Sequence, residues 1–217
     1  MSSVEEAANV KFSITALQDG FEKCLEGEDD IHVDKYIYAY KELYKFILLM
    51  GKLFSFVGSD IKAKLEILED FRKRDSAGNF LTVKKMIFYE LEQDLLDKKG
   101  YISACRTVLR LHRGLDFISQ FLQKVGEIED QDGTSTVCQD AYNVTLSNHH
   151  TWVIRKAAGV AMYALPTKEN LLIRLFGGDQ EEIKLAKKNL PDMLAASREV
   201  HRRTQKLLEA HNLLLLP

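Results

Sequence analysis

The sequence predicts an all-α fold, built as a compact bundle or helical sandwich. Three observations predict it. Apolar residues recur at spacings of three and four along most of the chain, the period of a helix with one buried face. Proline is scarce, at three residues, while Leu, Lys, Glu and Ala are common. Punctuated, alternating strand patterns are weak throughout. The chain has 217 residues, 46% hydrophobic and 29% charged, enough for one good-sized core. It shows no low-complexity linker and no fixed repeat, so one domain over residues 1–217 is expected.

The elements follow in order. A first helix is expected from about Asn9 to Leu25, with Phe12, Ala16, Leu17, Phe21 and Cys24 inward, and the acidic patch from Glu26 to Asp30 ends it. Asp34 is placed to cap a second, which carries Ile37, Tyr40, Tyr44, Ile47 and Leu48. A break near Gly51 precedes a third, from Phe54 to Arg74, and Asp75-Ser76-Ala77-Gly78-Asn79 reads as a loop. A fourth runs from Leu81 to Asp97 and a fifth from Ser103 to Val125. A residue of the Thr134-Ser135-Thr136 run caps a sixth, read as continuous until Pro166 stops it near Leu165. Thr167 caps a short seventh, closed by Gly177-Gly178. The last runs from Gln180 to Leu214, with Pro191 as a kink or restart.

Charge and composition exclude several classes of function. The formal net charge of −2 gives no field that would draw nucleic acid or an anionic surface to the whole molecule. The three cysteines are too few and too widely spaced for a disulfide framework or a zinc site, and are expected to be reduced, half-buried fillers. Neither a nucleophile–base pair, a metal-ligand spacing nor a phosphate-cradling glycine loop is present in the sequence, so neither enzyme chemistry nor a metal or cofactor is expected. Met1-Ser2-Ser3-Val4-Glu5-Glu6 lacks the pattern of a signal peptide, and the apolar run from Phe46 to Met50 falls far short of the roughly 20 residues that span a bilayer. A cytosolic protein is expected.

Three stretches carry candidate chemistry. In the fifth helix Val108, Leu111, Leu115, Ile118, Leu122 and Val125 form the core-facing stripe. Arg106 and Arg110, four apart, share the side that continues to Phe117 and Phe121. That strip suits an ordinary solvated surface as well as a ligand with an anionic head and an apolar tail. In the third helix Leu53, Phe56, Val57, Ile61, Leu65 and Phe71 mark the apolar face, and Asp60 and Lys64 project from the middle of it. Buried charge is costly unless paired, so this spacing reads as a ligand site or as a structural ion pair, and we favour the ligand site. The third stretch is Asn148-His149-His150-Thr151-Trp152-Val153-Ile154-Arg155-Lys156. His150 shares a side with Val153 and Ile154, where a histidine is more often packed core than a ligand group. Trp152, beside Arg155 and Lys156, fits a membrane-interface contact or plain core packing.

Taken together, three motifs resemble the glycolipid transfer protein family, and within it the ceramide-1-phosphate branch. They are Ser59-Asp60-Ile61-Lys62-Ala63-Lys64, Cys105-Arg106-Thr107-Val108-Leu109-Arg110-Leu111-His112-Arg113, and His150-Thr151-Trp152-Val153-Ile154-Arg155. The ending Ala210-His211-Asn212-Leu213-Leu214-Leu215-Leu216-Pro217 is similar as well. The resemblance covers nearly the whole chain and implies a two-layer all-α sandwich of about eight helices. It implies one lipid, its head at the surface and its chains in an internal pocket. Sugar-binding members carry Trp where this chain has Arg110, Asn where it has Lys64, and a lysine where it has Ile67. Those differences replace sugar recognition with cations.

The roles that follow are implied by the resemblance. Arg106 and Arg110 clamp a phosphate with forked hydrogen bonds, and Lys64 adds charge. Asp60 accepts from the ceramide amide and His150 contacts its carbonyl. Phe46, Leu53, Val57, Leu109, Phe117, Phe121, Val153 and Ile154 are expected to line the chain pocket, and Trp152, Arg155 and Lys156 to meet a membrane. The implied activity is intermembrane transfer of ceramide 1-phosphate by a monomer that transiently touches anionic surfaces, with peripheral association to Golgi, endosomal or plasma membranes. Transfer or sensing of another anionic sphingolipid, or a helical protein-binding scaffold without lipid, are the alternatives.

Overall fold

The computed structural model describes residues 10–216; the start of the first helix at Asn9, the N-terminal segment and Pro217 lie outside the described residues. The fold is all-α. Nine α-helices appear among the described residues: α1 (Ile14–Cys24), α2 (Val33–Leu49), α3 (Ser55–Arg74), α4 (Val83–Glu92), α5 (Ala104–Glu127), α6 (Thr134–Val144), α7 (Trp152–Tyr163), α8 (Lys168–Phe176) and α9 (Gln180–Ala210). Helices α1, α2 and α3 follow one another side by side, and α5 packs on α9. Contacts of α1 with α9 and of α3 with α5 close the two groups face to face around one hydrophobic core. The result is a two-layer sandwich.

Local chemistry sets the element ends. Ser13, Thr82, Ser103, Thr167 and Asp179 each accept, through a side-chain oxygen, from a backbone N–H of the first turn they precede. Gly177 closes α8 in the left-handed region, at φ +63°. Gly20 lets α1 lie close on α2, since a Cβ there would stand 3.0 Å from the Cα of Ala39. The helix α9 runs unbroken through Pro191, so that residue causes no restart. The acidic patch after α1 forms a two-rung hairpin, pairing Leu25 with Ile31 and Glu26 with Asp30. Asp34 lies in the first turn of α2 rather than capping it; the cap position is His32.

The expected sixth helix is two helices. The backbone leaves α6 at Thr145, passes through a 3-10 turn at Leu146–His149 and restarts at Trp152. Thr145 Oγ1 donates to the Ala141 carbonyl and Ser147 Oγ to that of Asn143, at 2.7 and 2.8 Å. Clustered Thr, Ser and Asn side chains compete for backbone groups, and the helix yields to them. The break re-aims α7. Of its described residues, Ala161 and Met162 are buried.

Helix α5 is held by polar contacts at its N-terminus and two turns further along. At its N-terminus the buried Glu90 of α4 accepts from the backbone N–H of Ala104 at 2.6 Å and of Cys105 at 3.1 Å. The same carboxyl accepts from Ser103 Oγ at 2.6 Å and the Tyr101 hydroxyl at 2.9 Å. Further along, His112 stacks on His201 of α9, ring centroids 4.0 Å apart, and its Nε2 meets Gln205 Oε1 at 2.7 Å. Burial, first, and the neighbouring His201 push the His112 imidazole down to about 3.

Two predictions follow from α5. Glu90→Ala leaves three buried donors and the part-buried Tyr101 hydroxyl without their acceptor, at about 1–3 kcal/mol for each group that water does not reach. Chemical denaturation is expected to show a loss of at least about 3 kcal/mol, and a loss under about 1 kcal/mol would mean the cap is dispensable. The second concerns pH. A histidine buried neutral has its folded pKa below the unfolded value of about 6.5, so the unfolded chain binds the extra proton and stability falls as pH drops through 6.5. Wild-type protein should lose denaturation midpoint between about pH 7 and 5, and His112→Phe should flatten that slope. A parallel slope in the variant would exclude His112 as its source.

Candidate functional site

The candidate site is built from α3, α5 and the turn before α7. Helices α3 and α5 pack against each other, as the candidate residues on them required. The buried stripe of α3 runs Gly58, Ile61, Lys64, Leu65 and Leu68. Lys64 is therefore sunk in the stripe, whereas Asp60 lies beside it with 64% of its side chain exposed. The expectation that both were buried is corrected for Asp60. Leu53 and Phe56, which had widened the apparent apolar face towards it, precede or begin the helix and face outward. Lys64 Nζ pairs with Asp60 Oδ1 one turn away, so the ammonium is buried with a counter-ion.

Arg106 sits in the first turn of α5, its backbone N–H held by Ser103 Oγ at 3.1 Å. Its Nη2 donates to the Leu96 carbonyl at 3.0 Å and stands 3.9 Å from Asp97. Its Nε is buried and meets no acceptor among the described residues. An orphaned guanidinium donor in the protein interior costs free energy that an acceptor would return. Arg110, one turn on, is exposed. Its charge acts on Arg113, whose guanidinium is held below its ordinary range by burial first and Arg110 second. Arg113 in turn lowers His149, after burial. Nη2 of Arg113 donates to the Leu214 carbonyl at 2.7 Å, tying the C-terminal stretch to α5.

His150 closes the group. It is half-buried, and burial lowers its pKa; Asp60 opposes that shift, while His149 and Lys64 add to it. Asp60, Lys64 and His150 thus share one electrostatic neighbourhood, and His149 links it to Arg113 and Arg110. The Nδ1 of His150 lies 2.9 Å from the Tyr142 hydroxyl. Sequence reasoning quoted Arg113 in its motif but gave it no part in the site, and it passed over Tyr142. Arg113 had a usable signal, three residues after Arg110 on the same helix. Tyr142 had none, since the helix break alone brings it to His150.

The expected pocket residues separate into two sets. Phe46, Leu109, Phe117 and Phe121 are buried, and Val57 is partly buried against them. Phe117 and Phe121 stack in parallel with centroids 6.2 Å apart. Leu53, Val153 and Ile154, at 48%, 67% and 41% exposure, are corrected: they lie on the surface. The cause is the break at Thr145, which turns the first turn of α7 outward, and the position of Leu53 in a 3-10 turn, Lys52–Phe54, ahead of α3. That turn packs beside α7. Leu53, Phe56, Trp152, Val153 and Ile154 form an exposed apolar face, with Lys52, Arg155 and Lys156 among its exposed residues. Lys156 Nζ stands 5.7 Å from the Trp152 ring centroid. No helix among the described residues is long and apolar enough to cross a membrane.

Sandwich, cation group and apolar face together define a carrier of the kind built around an amphiphile. A family model described as Glycolipid transfer protein (GLTP) matches residues 31–177, and the chain belongs to that family of lipid transfer proteins. Among its relatives, the ceramide-1-phosphate transfer protein of Danio rerio is 38% identical, over 95% of this chain and 98% of that one. The protein of that name from Xenopus tropicalis is 36% identical over the full length of both. The crystal structure of the mouse ceramide-1-phosphate transfer protein, in its apo form, superposes with a TM-score of 0.87 at 35% identity, covering 95% of this chain and 100% of that one. The human protein in complex with 12:0 ceramide-1-phosphate gives a TM-score of 0.82 at 33% identity, with the same coverage.

Proposed function

We propose that this protein moves ceramide 1-phosphate between membranes, as one lipid-carrying unit that acts as a monomer. What supports the proposal is a buried Arg106 Nε with no acceptor among the described residues, on a helix packed against the one that carries Lys64, with Arg110 one turn further along. A phosphate monoester bears about −1.5 to −2 charge near neutral pH and three acceptor oxygens, which matches several cations at once. Arg106 and Arg110 supply planar forks for it, and Lys64 a point charge. Asp60 accepts from the ceramide amide N–H, and His150 donates to its carbonyl. The similarity to ceramide-1-phosphate transfer proteins over nearly the whole chain supports this cargo.

Energetics explain why a carrier is needed. Each CH₂ exposed to water costs roughly 0.8 kcal/mol, so a sixteen-carbon chain faces on the order of 10 kcal/mol in crossing between bilayers. Enclosure beside Phe46, Val57, Leu109, Phe117 and Phe121 removes most of that barrier. No covalent step is required. The exposed face of Trp152, Val153, Ile154, Leu53 and Phe56 docks on the bilayer, and Arg155 and Lys156 favour anionic lipid at about 1 kcal/mol each. The protein is then cytosolic, with brief visits to membrane surfaces.

The test is transfer between vesicles of labelled ceramide 1-phosphate, galactosylceramide and phosphatidic acid. Ceramide 1-phosphate should move fastest. Equal movement of phosphatidic acid would remove the amide filter, and faster galactosylceramide would overturn the cation clamp. Arg110→Leu should slow transfer by on the order of tenfold to a hundredfold, the size of one charge-assisted contact, with thermal stability retained. Wild-type rates in that variant would sink the clamp. Trp152→Ala should weaken vesicle association while leaving affinity for short-chain ceramide 1-phosphate in solution unchanged. Equal vesicle binding by both proteins would count against docking through α7.

A further inference from the structure

We propose that Tyr142 is a positioning residue that sets the tautomer of His150, so that Nε2 carries the proton presented to the cargo's amide carbonyl. The inference rests on the reading of His150 as the carbonyl contact. A neutral imidazole has one N–H and one lone pair, and whichever nitrogen is engaged by a neighbour decides the role left to the other. The Tyr142 hydroxyl lies 2.9 Å from His150 Nδ1. A phenol O–H is a better donor than its oxygen is an acceptor, so Tyr142 donates to the Nδ1 lone pair. Nε2 is left as N–H. With the opposite tautomer Nε2 would turn a lone pair towards a carbonyl oxygen, and the contact would be repulsive.

The hydroxyl is held firmly enough for this task. Tyr142 is buried, and its ring meets Phe117 edge to face, centroids 6.2 Å apart at 90°. In an unbroken helix residues eight apart stand about 12 Å apart along the axis, too far for a hydrogen bond. The exit at Thr145 and the 3-10 turn at Leu146–His149 fold His150 back onto Tyr142, with ring centroids 5.7 Å apart. Burial lowers the His150 pKa below its ordinary value, Asp60 opposes that shift, and His149 and Lys64 add to it, so the net direction favours the neutral ring near pH 7. The arrangement parallels metal sites, where a partner on one ring nitrogen fixes the function of the other.

Two measurements test the proposal. The first is the ring ¹⁵N and ¹³Cδ2 shifts of His150 by NMR, in the unsubstituted protein and in Tyr142→Phe. The unsubstituted protein should show the Nε2–H tautomer, and the variant a mixture. An Nδ1–H tautomer in the unsubstituted protein overturns the proposal whether or not the variant folds. The second is a double-mutant cycle on ceramide 1-phosphate affinity with His150→Ala. Tyr142→Phe should weaken binding about threefold to tenfold, the size of one neutral hydrogen bond, and should have no further effect once His150 is gone. An equal loss in both backgrounds would make Tyr142 a packing residue and overturn its action through His150. Weaker but measurable binding in His150→Ala supports the reading beneath the proposal, and unchanged binding there overturns that reading while the NMR result stands by itself.

Discussion

The rest of the molecule depends on where α5 begins, and one carboxyl group decides that. Glu90 is wholly buried in α4, and its two oxygens take hydrogen bonds from two backbone amides and two hydroxyls at the head of α5. Helix N-termini leave several amides without partners, and here a buried acidic residue from another helix satisfies two of them. Because a helix is rigid over a few turns, fixing residue 104 also fixes the azimuth of everything after it. Arg106 and Arg110 are placed on one side, and Leu109, Phe117 and Phe121 against the core. A slip of α5 by one residue would turn that relationship by about 100°.

Much of this was legible in the sequence where one helix explains one stripe. The apolar positions of α5 are buried as their spacing required, from Val108 to Val125, and the all-α architecture holds. Errors arose where the period was read across a boundary. Leu53 and Phe56 seemed to belong to the inner face of α3, which placed Asp60 in the core; the 3-10 turn before the helix puts them on another line. Val153 and Ile154 seemed continuous with the apolar side of α6 for the same reason. Thr145 and Ser147 carry the break, but through hydrogen bonds to carbonyls four residues back that a helix also tolerates. Glu90 was silent because a lone glutamate in an amphipathic helix is ordinarily solvated.

Lys64, Arg106 and Arg113 are each engaged within the fold. Lys64 is buried but paired with Asp60, and Arg113 spends its guanidinium on a backbone carbonyl at the chain's end. Arg106 binds the Leu96 carbonyl with one nitrogen and leaves another in the interior without an acceptor. Each cation is partly compensated. A buried cation with no compensation would cost several kcal/mol, a large share of the stability of a fold this size.

The sparse anchoring of α7 has a consequence for how the interior is reached. A helix that buries two of its side chains is lightly anchored, and local opening concentrates in such elements. Its own hydrogen bonds are internal to it, and the Thr145–Thr151 stretch is already non-helical or 3-10 and so accepts a change of direction without melting a helix. Swinging α7 away therefore leaves the pairing of α5 with α9 and of α1 with α2 intact. The run of Thr, Ser and Asn side chains that broke the helix is thus the segment where a change in the direction of this helix would cost least secondary structure.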